Sequence, residues 1–299
     1  MGEFINIIKK IASDLQINVT FLSDNWLTVL EKNGVTHCIQ GYKFPLNDHA
    51  IGNILDDKGL FYDLMVYKNN PIIEHKVIFK NTPFSLIENY FDEHNEKIIV
   101  KGNIGTLGNE VFLVTDKHDL RDKVTLLFKS QFSISLCPFY DIEMEYRIIV
   151  LNNEVRLIYG KQRPMVVGDG VHNLEYLAKS FNQTYYSLSK NINFDKEYVP
   201  KLSEKILLNF QFNLSKGAIP FFDIDSHLAK YLSNIALKVA HDAHINFASI
   251  DIIKTVDNKF LLMEANSGVM MNNILNQGPM YKDIAYNIYK DAISLMFFK

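Results

Sequence analysis

FASIDIIKTVDNKFLLMEANSGVMMNN, residues 247–273, is the stretch on which the fold turns. Two largely apolar runs, residues 248–256 and 259–266, flank Asp257-Asn258, a pair suited to the turn of a β-hairpin. A two-residue turn places Val256 opposite Lys259, and counting back along both strands sets Asp251 opposite Glu264. Asn266, two residues beyond Glu264, shares its face by the strand period of two. Two carboxylates and an amide together supply the hard oxygen ligands that Mg²⁺ takes when it is shared with phosphates. Acidic pairs on surface hairpins are also common with no metal, but the setting here is apolar on both strands. A carboxylate buried alone is costly, and like charges directly opposite repel. A cationic partner is therefore expected.

Composition bounds the rest. The 299 residues are 47% hydrophobic and 22% charged, with net charge −3 and no long basic run, so nothing favours nucleic acid or an anionic membrane. Cys38 and Cys137 lie far apart without a partner motif, which points to a reducing compartment and to two buried, unreactive thiols. No leader pattern opens the chain and no apolar run is long enough to span a membrane. A cytoplasmic protein is expected.

In order, Phe4 to Leu15 has helical apolar spacing, Ile17 to Leu22 reads as a strand, Trp26 to Glu31 as a short helix and Val35 to Gln40 as a strand. Asp56-Asp57-Lys58 ends a helix-like run, where Lys58 would ordinarily just complement the helix dipole. Lys101 closes a strand before the glycine-rich turn of residues 102–108, which is built to fold closely over phosphates although its spacing is not that of a P-loop. Arg147 sits on an apolar strand and must face either an acid, with a neighbouring Glu the simplest partner, or a phosphate or carboxylate ligand. Lys161 and Arg163 leave the next strand as two cations, which are most simply solvated.

The residues Asp251 and Leu262-Met263-Glu264-Ala265-Asn266-Ser267 resemble the C-terminal metal signature of the ATP-grasp ligases. That resemblance implies ATP as cofactor, with Asp251, Glu264 and Asn266 holding two Mg²⁺ ions, or Mn²⁺ in their place. It further implies Lys58, Lys101, Gly105 and Thr106 on the nucleotide, a hinge at Leu136, Cys137 and Phe139 beside the adenine, and Glu145 by the ribose. The D-alanine ligase branch has an Arg where Ser249 stands, which argues against that substrate. Lys161 to Gly170, with its Val-Val-Gly-Asp-Gly, and Asn213 to Ala218 resemble cyanophycin synthetases and the glutathione-synthetase half of bifunctional glutathione enzymes. By similarity Asn213 joins the nucleotide site, and Arg147, Lys161 and Arg163 are the catalytic cations.

The implied architecture is an α+β ATP-grasp fold, two α+β lobes clamping ATP after a small N-terminal α/β lobe. The lobe would be residues 1–82 and the ATP-grasp domain residues 83–299, divided near residue 137 into a lid subdomain and a C-terminal lobe. The implied reaction is ATP-dependent joining of a small-molecule carboxylate and an amine, an amino acid or short peptide, through an acyl phosphate. An ATP-grasp kinase acting on a hydroxyl and an ATP-binding module without turnover are the alternatives. Residues 267–273 would line the acceptor site. Nucleic acid and membrane are not expected partners, and oligomeric state, a homo-oligomer included, is left open.

Overall fold

A computed structural model describes residues 2–105, 110–181, 195–275 and 277–298. Thr106 and Gly108 of the glycine-rich turn lie outside the described residues. Two compact units emerge. The larger draws on Met1–Gly105, Glu110–Ile158 and Asp225–Lys299, and the smaller is essentially Tyr159–Ile224.

The larger unit begins with helix α1 (Gly2–Asp14), which buries Phe4, Ile7, Ile8 and Ile11 at the spacing its sequence displays. An antiparallel meander follows, β1 (Asn18–Leu22), β2 (Leu27–Lys32) and β3 (Val35–Gln40), in that order. The helix expected at residues 26–31 is thus a strand. Ser23, Asp24 and Asn25 all take positive φ, 51°, 52° and 69°, and reverse the chain, after which Thr28 and Leu30 are buried in alternation. The N-terminal segment therefore pairs its strands antiparallel, without the parallel crossover of an α/β unit. Cys38 on β3 is exposed, contrary to expectation, because that strand has a solvent face; Cys137 is buried as expected.

Helices α2 (His49–Asp56) and α3 (Lys58–Tyr67) come next, capped by the side chains of Asp48 and Asp57. Just before α2, Asn47 clamps a strand some two hundred positions away. Its Nδ2 donates to the Phe247 carbonyl at 2.7 Å, and its Oδ1 accepts from the Asn246 and Phe247 amides at 2.8 and 3.0 Å. A four-stranded sheet, β4 (Lys76–Phe79), β7 (Ser133–Pro138), β5 (Ile98–Gly102) and β6 (Val111–Val114) in that order, carries α4 (Phe84–Glu93) and α5 (Lys117–Leu127) on one face. Ile87, Phe91, Ile98, Val100, Leu120, Leu127 and Leu136 make the core between them.

The second sheet of this unit places β8 (Ile142–Leu151) beside the long central strand Phe247–Thr255, and that beside the strand Phe260–Asn266. Asp251 does pair with Glu264, but not through a two-residue turn. The Thr255 amide donates to the Lys259 carbonyl at 2.9 Å, so Val256, Asp257 and Asn258 form a three-residue loop with Asn258 at φ 62°. That shifts the pairing by one, Ile252 opposite Leu262, until a bulge at Met263 shifts it back. Two irregularities cancel, and the acids meet. Helices Ser226–Asp242 and Pro279–Phe297 complete the unit, and no helix among the described residues is long and apolar enough to cross a membrane.

In the smaller unit, residues 160–162 at the end of β9 (Glu154–Gln162) pair antiparallel with Ile219–Phe221. A short antiparallel strand pair, Met165–Val167 with Lys205–Leu207, packs against the intervening helix Leu174–Phe181 through Val166, Leu174, Ala178 and Leu208.

Candidate functional site

Three neighbouring strands put one residue each on a single rung. Arg147 on β8 faces Asp251, and Asp251 faces Glu264. Asp251 is 1% exposed, and Arg147 grips it with a two-pronged fork, Nε on Oδ1 at 2.8 Å and Nη2 on Oδ2. The cation that the paired acids demanded is therefore an arginine 104 positions away. Two rungs further, Ile149, Ser249 and Asn266 align, and the Asn266 amide donates to Glu264 Oε1 at 3.2 Å. Ser249 is buried where the D-alanine ligase branch would carry its arginine. Glu145, buried two positions before Arg147 on β8, points to the same face.

The donor set fits a divalent cation. Asn266 turns its NH₂ toward Glu264, which directs its carbonyl oxygen elsewhere, and Glu264 keeps a second oxygen. Mg²⁺ is content with one or two carboxylates when phosphates and water complete its shell. Asp251, with one lone pair of each oxygen already engaged by Arg147, could contribute only what the fork leaves. Among the described residues no three of His, Cys, Asp and Glu gather into a site of their own.

The cations converge from the other sheet. Lys101 is buried at the end of β5 opposite Ser135. Lys58 does not end a helix; it begins α3, and its ammonium reaches back to the Gly105 carbonyl at 3.1 Å, at the foot of the glycine-rich turn. Asn103 holds that arrangement, accepting the Gly59 amide at 3.0 Å and donating to Ser133 Oγ at 3.2 Å. A Cβ on Gly59 would come within 2.3 Å of Val77, so only glycine lets α3 start this close to β4. Burial pulls the Lys58 pKa down, the Glu264 carboxylate opposes it, and the charge of Lys101 adds to the fall. Acid and cations are thus within electrostatic reach of each other in one unit.

The expected hinge divides by face. Leu136 points into the core under the helices, whereas Cys137 packs with Ile73, Ile253 and Met263 between the two sheets. The Phe139 amide donates to the Lys97 carbonyl at 3.2 Å, and the Lys97 ammonium lies 3.8 Å from the Phe139 ring centroid. In the smaller unit Lys161 is 3% exposed, which rules out the solvated cation its spacing suggested. Arg163 lies over the Phe212 ring at 5.1 Å. Asn213 Oδ1 accepts from the Ser215 amide and hydroxyl, both at 2.8 Å, capping the short turn Leu214–Lys216.

Sequence reasoning missed His75. It is buried, its Nδ1 lies 2.7 Å from Ser135 Oγ, and burial followed by the charges of Lys101 and Lys58 pushes its pKa down to about 2. Nothing marks it in the chain except a lone histidine before a strand. In the unfolded chain it takes up a proton near pH 6.5. The folded state binds fewer protons below that pH, so stability falls as pH drops. Urea unfolding at pH 7 and pH 5 should show about 2 kcal/mol of such loss in the wild type, and His75→Gln should lack that component.

No family model matches the chain. The glutathione biosynthesis bifunctional protein of Listeria welshimeri is 20% identical over 290 aligned positions that cover 88% of this chain. The chain spans 37% of that protein's length. D-alanyl-alanine synthetase A from Vibrio cholerae superposes with TM-score 0.58 at 12% identity, over 96% of this chain and 92% of that one. D-alanine–D-alanine ligase from Bacillus anthracis gives 0.56 at 13% identity over 83% and 71%. A bifunctional glutathione synthetase from Pasteurella multocida gives 0.52 at 14% over 92% and 41%. These likenesses show the fold: the chain has the ATP-grasp fold of these enzymes.

Proposed function

We propose that the chain is an ATP-dependent carboxylate–amine ligase. The observation that carries the reading is the Arg147–Asp251–Glu264 rung, with Asn266 beside it, in the same unit as Lys58 and Lys101. Glu264 and Asn266, with the remaining capacity of Asp251, would hold Mg²⁺. When bound, that ion offsets the charge of the ATP phosphates and of the phosphoryl group in transit. Lys58 and Lys101 would supply fixed positive charge for the same phosphates, Glu145 is the acid assigned to the ribose by resemblance, and the face carrying Cys137, Ile253 and Met263 would offer an apolar wall for a base. The resemblance assigns Lys161 and Arg163, of the smaller unit, as further catalytic cations. The γ-phosphoryl group passes to a substrate carboxylate, giving an acyl phosphate and ADP; an amine then displaces phosphate. No protein nucleophile is needed, since such catalysis is positioning and electrostatics. The substrates fit the class of amino acids and short peptides that the relatives' names describe.

The fork on Asp251 favours one second reading, ATP binding without turnover, because it neutralises the acid with no metal. Hydroxylamine decides. With Mg-ATP and an amino-acid and peptide panel, a ligase yields a hydroxamate from the trapped acyl phosphate. ADP without hydroxamate would instead mark a kinase, and ATP binding without ADP a module that does not turn over.

A further inference from the structure

One extended segment joins the edges of the two sheets in the larger unit. At its start Ile72 bridges Leu262 in parallel, the Leu262 amide donating to the Pro71 carbonyl and the Ile73 amide to the Leu262 carbonyl, both at 2.9 Å. A few residues on, the same chain has become β4 and pairs antiparallel with β7. His75 stands at the changeover. One end of the segment therefore lies on the strand of Glu264, and the other lies on β7, whose Ser135 is paired with Lys101 of β5.

His75 is 5% exposed and has only one ring nitrogen engaged. Its Nδ1 lies 2.7 Å from Ser135 Oγ, a hydroxyl that is itself fully buried and has no other partner among the described residues. A buried O–H that failed to donate would be left unsatisfied, so the hydroxyl is the donor, Nδ1 the acceptor, and the ring proton sits on Nε2. That N–H has no hydrogen-bond partner among the described residues. Burial and the charges of Lys101 and Lys58 keep the ring neutral, while the Met263 backbone acts the other way and favours a proton on it. A carbonyl is the backbone group with that effect, so the Met263 carbonyl stands near the Nε2 proton without closing a hydrogen bond. Met263 is the bulge residue, directly before Glu264. Buried N–H groups nearly always find an acceptor, and a small shift of the bulge supplies one here.

We propose that His75 is a positioning residue whose Nε2 proton closes on the Met263 carbonyl when Mg²⁺ and ATP are bound, tying the strand of Glu264 to the sheet that carries Lys101. One ring then sets how far the metal-holding acid stands from the phosphate-holding ammonium. Binding of the ion and binding of the phosphates are thereby coupled. The inference rests on the part of the ligase reading that puts Mg²⁺ at Glu264 and phosphates at Lys101, and it goes beyond that reading by naming what holds the two at a fixed spacing.

Calorimetry on the full chain gives the affinity for ATP with Mg²⁺ and with EDTA, and the ratio of the two reads the coupling. His75→Asn keeps a polar group at the position of Nδ1 and loses the arm toward Met263, whereas His75→Gln keeps an N–H near the position of Nε2. The asparagine variant should lose roughly tenfold of the Mg²⁺-dependent gain in affinity, the scale of an ordinary coupling between two sites, with metal-free ATP binding unchanged. The glutamine variant should keep most of the gain. A ring that only fills space would make the two variants alike. Should His75→Asn fail to fold, Ser135→Ala decides in its place, since it frees the ring without replacing it and should shrink the gain in the same way. An undiminished gain in the asparagine variant, or equal losses in both, overturns the strut and leaves the ligase reading standing. Mg²⁺ without effect on the wild-type affinity for ATP removes the metal site and this inference with it, and a full Mg²⁺ effect without ADP release on any substrate panel removes the ligase reading alone.

Discussion

Glu264→Gln should lower ADP release by roughly 10²–10³-fold at saturating Mg-ATP, the loss seen when one preorganised electrostatic contact to the reacting charge is removed. The substitution keeps size and can still accept from Asn266, so the fold should hold. What it removes is the charge on the rung that is not already engaged by Arg147. It also removes the acid that opposes the fall of the Lys58 pKa, so the variant should hold the Lys58 ammonium in its charged form less firmly as well. Titrating Mg²⁺ against initial rate should show the midpoint moving upward along with the lower plateau. Wild-type turnover across the whole titration would dismiss Glu264 as a ligand.

Arg147→Met should destabilise the protein by about 3–5 kcal/mol, because it strands a buried carboxylate whose two oxygens the guanidinium holds. The magnitude comes from desolvation. Asp251 is 1% exposed and faces a second acid across the sheet, so water cannot replace the lost partner. The double variant Arg147→Met/Asp251→Leu should recover most of the loss, since a buried ion pair replaced whole by apolar groups is close to neutral. Its ADP release should stay abolished. Urea unfolding of the four proteins of this cycle gives the coupling directly; a single-variant loss below about 1 kcal/mol would mean that Asp251 is solvated in a way its burial contradicts.

The fold was legible where the chain announces it. The acidic hairpin, the strand ending at Lys101 and the acidic entry to β8 each sit in a run whose period and flanks permit few readings. The facing of Asp251 and Glu264 was inferred rightly through a turn that does not exist, because the bulge at Met263 compensates for the longer loop and neither leaves a mark in the residue types. Trp26 to Glu31 misled because its apolar spacing suits helix and strand alike, and the left-handed run at Ser23, Asp24 and Asn25 that settles the matter is a backbone choice. Arg147 was visible as a cation needing a partner, but which acid it meets is fixed by strand order. His75 and Asn103 were invisible for the same reason: their meaning lies in contacts between segments far apart in the chain.

The clamp made by Asn47 has a consequence for how such a chain can change. The backbone amides and carbonyl that open the acid-bearing strand are satisfied from the leading segment by one side chain, and the carbonyl of its neighbour Leu46 accepts from the Asn246 side chain. That segment is therefore no interchangeable cassette. A recombination event that traded it for another would have to deliver an equivalent amide to the same spot, or leave the root of the acidic strand with dangling polar groups. Lineages carrying this scaffold should accordingly diversify the leading segment by drift around a kept asparagine more readily than by wholesale replacement.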